Sequence, residues 1–189
     1  MTTRRWARLI LAVLLTGGAV AVDGQAVPSA TLKSGSLAFD ARATLGAFTG
    51  TTTTLTGAIT GAADLGGVRG WVEAPSASLS TANGHRDRDM AGSMEFARYP
   101  TIRFDLTGVA PGTVDGDSTA VVLHGRFTIH GQSREVDVPG WLWRRASTVR
   151  FLGATPLDVK EYGVGGLSKM LGMLKMNEKI LVRIDVTFE

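Results

Sequence analysis

The chain has 189 residues, 20 Lys and Arg against 17 Asp and Glu, three His, 24 Gly and no Cys, with 44% hydrophobic residues. That length suffices for the core of one ordinary domain, and the lack of Cys excludes disulfide staples, thiolate metal sites, cysteine nucleophiles and the acylated anchor of a lipoprotein. Arg4, Arg5 and Arg8 carry the whole positive excess, so beyond them 17 basic groups face 17 acidic ones, and a neutral chain is a poor match for nucleic acid.

The N-terminus reads as an address. Met1 to Arg8 hold three Arg and no acid, Leu9 to Val22 carry no charge, and small residues follow. This is the three-part pattern of a secretory signal peptide. Cleavage after Ala21 or after Ala26 fits the small-x-small rule, which makes 1–26 the signal peptide and 27–189 one domain. The stretch falls short of the roughly 20 residues that span a bilayer, and no later stretch is long and apolar enough. The expected destination is the periplasm or the exterior, whether by the general or the twin-arginine route.

The rest has a period of two. From Leu37 to Leu45 the odd positions are Leu, Phe, Ala, Ala and Leu, with Asp40 and Arg42 between them, the signature of a half-buried strand. The pattern returns at Leu55–Ile59, around Val68 and Val72, and at Ile102–Leu106. Glycine and Asx clusters at Gly46–Gly50, Gly61–Gly67 and Pro111–Asp117 predict the connections. The clearest strand runs from Val121 to Ile129 and ends at Gly131-Gln132. A return strand starts at Val136 and is expected to break at Pro139-Gly140. Val149–Phe151, Leu157–Val159 and Ile180–Phe188 supply the last runs.

About eight strands and almost no helical period imply an all-β antiparallel barrel or sandwich with one or two short helices. Arg86–Tyr99 places Met90 and Met94 at helical spacing and stops at Pro100. Leu167–Met176 spaces Met170, Met173 and Met176 three apart, which suits the core face of a short helix, a soft cover over an apolar cavity, or a thioether metal cluster.

Catalytic signals are sparse. His85, Asp87 and Ser93 offer a base, an orienter and a nucleophile on paper. Arg86 and Arg88 interleave the acids, which favours an ion-paired turn, and no Gly-x-Ser-x-Gly elbow occurs. His124 and His130 are six residues apart on one strand, roughly 20 Å when extended, too far to share a metal. Gly163–Gly166 lacks a Walker Lys and a dinucleotide setting. No cofactor or resident metal is expected. The inner face is more telling: large Phe39, Phe104, Phe127 and Phe151 mix with small Ala41, Gly57, Gly70 and Gly125, and small residues on an inner face are expected to leave room. A barrel of this size is either packed solid, as in a ligand-free interaction domain, or leaves space for one apolar ligand.

Several stretches resemble the YceI-like family of exported, lipocalin-like β-barrels that bind polyisoprenoids. They are Ser36–Asp40, Gly46–Gly50, Arg86-Asp87 with Met90, Tyr99–Phe104, Gly125–Val136, Asp158–Val164 and Val182–Phe188, in this order. The resemblance implies an antiparallel lipocalin-like β-barrel and a non-catalytic role in binding, carrying or sequestering an isoprenoid lipid, a polyprenyl chain or an isoprenoid quinone. It also implies transient contact with a membrane or a membrane redox protein, and no nucleic acid. The expected lining is Phe39, Phe48, Leu55, Ile102, Phe104, Leu123, Phe127, Ile129, Trp141, Phe151, Met170, Leu171, Met173 and Met176, with Arg86 and Asp87 at a polar mouth. Relative to many members, the Arg86–Pro100 segment is short and Gly61–Gly70 is rich in glycine.

Overall fold

The period-two stretches form strands in the computed structural model, which describes residues 26–44, 46–164, 168–169 and 174–189. The strands are β1 (Ala30–Ala43), β2 (Gly46–Thr52), β3 (Thr56–Thr60), β4 (Arg69–Pro75), β5 (Thr101–Asp115), β6 (Ser118–Ile129), β7 (Gln132–Arg145), β8 (Thr148–Asp158), β9 (Ser168–Lys169), β10 (Leu174–Lys175) and β11 (Lys179–Phe188). Among the described residues one α-helix, α1 (Gly84–Ser93), interrupts them.

All ladders of the main sheet are antiparallel, in the order β11-β8-β7-β6-β5-β4-β3-β1, and β1 pairs with β11 to close an eight-strand barrel. Closure removes the exposed edges that an open sheet would present. The long β1 gives one edge to β11, and divides the other between β3 at Ala30 and Thr31 and β2 from Leu37 to Ala43. The far edge of β2 is covered by a bridge between Thr51 and Ser80.

Side chains alternate as the sequence predicts. On β6, Val121, Leu123, Phe127 and Ile129 are buried, whereas His124 and Arg126 face solvent. The β6–β7 hairpin turns on His130 and Gly131, with φ of 50° and 70°, the two positive angles that a tight I′ turn requires. One end of the barrel is stoppered by buried Val27, which bridges to Ala62, and by buried Val68 after the 3₁₀ turn Leu65–Gly67. At the other end lie α1 and the 3₁₀ turn Val159–Tyr162.

The helix starts where Asn83 caps it, its side-chain oxygen accepting from the backbone N–H of His85 and Arg86 at 3.1 and 3.0 Å. It stops earlier than the expected Tyr99, because Glu95 takes a φ of 46° that no helix continues. Asp87, in its first turn, accepts from the Thr81 N–H and hydroxyl at 2.8 and 2.6 Å and from the Ser80 hydroxyl at 3.1 Å, tying α1 to the preceding segment. These bonds, the Thr81 hydroxyl first and its N–H second, hold the Asp87 carboxyl below the usual range. Among the described residues no helix is long and apolar enough to cross a membrane.

Three expectations change. Gly46–Gly50 is a strand rather than a connection, and the turn falls before it, at Thr44 and Gly46 with its φ of 127°. Pro139 does not break β7, because it lies one residue before the β7–β8 ladder begins at Gly140, so its missing N–H has no partner to fail on that side. The helix expected over 167–176 gives way to β9 paired with β10 at its described positions.

Candidate functional site

The bore of the barrel holds two spaces. The larger is a cavity of about 470 Å³ beneath α1, within the roughly 300–1,000 Å³ of small-molecule sites. Its walls come from β1 and β2 (Leu37, Phe39, Ala43, Phe48), α1 (Met90) and Met94 just beyond it, β5 and β6 (Ile102, Phe127, Ile129), the turn that follows β8 (Val159, Val164) and β11 (Ile180, Val182). Exposed Thr44, Gly46 and Ala47 mark its mouth beside α1. The smaller space, about 80 Å³, lies deeper and is lined by Leu55, Ile59, Val72, Phe104, Leu106, Leu123, Phe151 and Val186 among others.

Small inner-face residues were expected to leave room, but the glycines instead seat rings and strands. A Cβ on Gly125 would stand 2.4 Å from Phe104 Cζ, one on Gly153 2.4 Å from Phe151 Cζ, and one on Gly50 2.2 Å from Phe39 Cε1. The bare backbone lets each ring lie over the neighbouring strand, where it covers the glycine and shields the ladder. Gly57 and Gly70 are closed in turn by the carbonyls of Trp71 and Ala58, each 2.6 Å from a built Cβ. The larger cavity exists because Phe39 lies along β2, where its ring meets Phe48 edge-on at 6.2 Å.

The charged lining described for the larger cavity is Arg86 and Asp89, with Thr44 and Ser93 as polar company. The Arg86 guanidinium lies 4.2 Å above the Phe48 ring at the mouth, a cation–π contact that leaves its N–H donors available. The arrangement suits a ligand with an apolar body and a polar or anionic head. At the opposite side of this end His130 ties three elements together: its ring packs on Tyr99 at 4.5 Å, its Nδ1 lies 3.1 Å from the Tyr162 carbonyl, and its Nε2 lies 3.5 Å from Glu95 Oε1. Tyr162 beneath it is 1% exposed, and its hydroxyl has no partner among the described residues. Burial pushes that phenol up to about 12.

The structure sorts the predicted lining. Phe39, Phe48, Ile129 and Met176 border the larger cavity, Leu55, Phe104, Leu123 and Phe151 the smaller, and Ile102 and Phe127 both. Met170, Leu171 and Met173 lie outside the described residues. Trp141 is corrected: it points outward, 39% exposed, beside Leu152 on the barrel exterior, because its neighbour Leu142 takes the inward parity. Asp87 is corrected as well, for its oxygens serve Thr81 and Ser80, and Asp89 reaches the mouth instead. Met90 and Met94 were legible only as a helical spacing; that they face a cavity follows from where α1 docks.

His85, Asp87 and Ser93 do not form a triad. Eight helical residues put His85 and Ser93 about 12 Å apart along the axis, His85 Nδ1 lies 2.9 Å from Arg88, and the Ser93 hydroxyl donates to the Asp89 carbonyl at 2.8 Å. His124 pairs with Asp137 at 2.7 Å on the exterior. Among the described residues no cluster could hold a metal ion.

Among curated proteins none matches the chain. Solved structures share its fold: BcnA of Burkholderia cenocepacia superposes with a TM-score of 0.68 at 16% identity, over 81% of this chain and 95% of that one. A polyisoprenoid binding domain from Saccharophagus degradans, implicated in plant cell wall breakdown, gives 0.69 at 16% identity, over 85% and 97%. The YCEI protein of Campylobacter jejuni gives 0.51 at 17% identity, over 64% and 72%. The family model for the YceI-like domain matches residues 29–188, the whole of the barrel from before β1 to the end of β11, and the chain belongs to the YceI-like family.

Proposed function

We propose that the protein binds an isoprenoid lipid, a polyprenyl chain or an isoprenoid quinone, with its tail in the barrel and its head at the α1 mouth, and carries or sequesters it without catalysis. The observation that supports this reading best is the 470 Å³ cavity, apolar apart from Thr44, Arg86, Asp89 and Ser93, with Arg86 laid on Phe48. Burying each five-carbon unit is worth about 4 kcal/mol before ordering costs, so affinity needs no further device than an apolar bore. The polyisoprenoid binding domain of similar fold supports the choice of lipid. We further propose that 1–26 directs export to the periplasm or beyond, where the protein meets its lipid at a membrane or a membrane redox protein.

The test is native mass spectrometry of protein purified without detergent, then extraction and identification of the bound molecule. A stoichiometric isoprenoid supports the reading. An apo mass that also refuses added polyprenyl lipids points instead to a packed interaction domain without ligand. Arg86→Leu separates head from tail: a lost charge-assisted hydrogen bond is worth about 1.5–3 kcal/mol, so prenyl phosphates weaken by about tenfold or more while prenyl alcohols change little.

A further inference from the structure

The bore is blind and has a waist. Leu37, Ile102 and Phe127 border both spaces. Leu37 belongs to β1 and Phe127 to β6, four strands away around the ring in either direction, so they stand on opposite walls of the barrel. Beyond the waist, Phe104 lies 4.9 Å from Phe127 with its ring on Gly125, and Phe151 lies across Gly140 and Gly153. Those seated rings leave only about 80 Å³. The far end is stoppered by Val27, Val68 and Val109, all buried, so a tail entering at α1 has no exit there.

We infer that this waist measures the tail: the site takes a prenyl lipid of about three isoprene units, and Phe127 is the residue that stops a longer one. The inference rests on the isoprenoid reading given above. If a carbon with its hydrogens fills about the ~30 Å³ of a liquid water molecule, the 470 Å³ of the larger cavity takes on the order of fifteen carbons. Each added unit gains affinity only while it finds apolar wall to cover. Past the waist it must turn Phe127 or Phe104 out of a packed pair, so the gain stops.

Prenyl alcohols of 10, 15, 20 and 40 carbons, titrated calorimetrically into the purified protein, test this. Affinity rises by about tenfold or more from 10 to 15 carbons and by less than about threefold from 20 to 40. Phe127→Ala moves the break to longer chains, with circular dichroism and Tm confirming the fold. Leu37→Ala, at a half-buried position, does the same with less burden on the core. A wild-type affinity that climbs steadily to 40 carbons, or a break unmoved in both folded variants, overturns the waist while leaving lipid binding intact. Refusal of every length overturns the isoprenoid reading itself, and the waist with it.

Discussion

Gly50→Ala isolates the ring seat that keeps the cavity open. A Cβ there meets Phe39 Cε1 at 2.2 Å, Cζ at 2.4 Å and Cδ1 at 3.1 Å, and the three nearest atoms are all of that ring. The backbone has no reason to move; the ring does. Gly125 offers no such clean experiment, since its Cβ would also stand 2.5 Å from the Asp105 carbonyl. Displacing Phe39 breaks its edge-on contact with Phe48, worth about 0.5–1.5 kcal/mol, which lowers Tm by roughly 2–4 °C per kcal/mol in a domain of this size. Binding changes more. The ring swings into the space of about one isoprene unit, whose burial is worth up to about 4 kcal/mol, on the order of a thousandfold. Calorimetry with a 15-carbon prenyl alcohol should show affinity falling by at least about tenfold, with Tm nearly held. Phe39→Ala in the same chain removes the obstructing ring, so the double variant binds again. Undiminished binding by Gly50→Ala, or no recovery in the double variant, refutes the seat.

Two further outcomes follow from single groups. Tyr162→Phe deletes a buried hydroxyl without a partner among the described residues, and since such a group costs about 1–3 kcal/mol, the variant unfolds at higher temperature, and the difference in phenolate absorbance between parent and variant, which isolates Tyr162 from Tyr99, stays absent near pH 11. Between pH 10 and about 12 the folded phenol keeps a proton that the unfolded chain gives up, so stability falls as pH rises through that window, and Tyr162→Phe flattens the fall. Asp87 works in the opposite sense: its folded carboxyl is depressed by the Thr81 hydroxyl above all, so the stability it lends α1 is present above the ordinary value of 3.8 and lost as pH falls through the folded value. The protection of α1 amides, taken relative to their intrinsic exchange at each pH, falls in acid, and Asp87→Asn removes that pH dependence; equal acid sensitivity in both proteins would discredit the anchor.

The fold was legible because parity is a strong local signal. Val121 to Ile129 could not alternate so cleanly and be anything but half-buried strand, and Ile180 to Phe188 repeat the case. The interior was less legible, because what a small residue does depends on the strand beside it. Gly125 looked like room in the one-dimensional pattern, yet Leu106 opposes it and Phe104 leans over it from β5. Trp141 shows the limit of aromatic content as a guide: size suggested the lining, while pairing with Leu152 and Ala120 on the outward parity decided otherwise. Gly46–Gly50 misled for a related reason, since a glycine needed for ring seating and one needed for a turn look alike until the register of β1 and β2 is known.

The seam between β1 and β11 joins Leu32 to Phe188 and Asp40 to Leu181, so the first strand must wait for the last. No ladder on that side exists until some 150 residues between them have found their places, and loop closure of that span is costly and slow. The container is therefore the final product of folding rather than a stage in it: nothing can be loaded into a half-made chain, and a truncation that removes only β11 leaves β1 and β8 as bare edges, open to pairing with another copy.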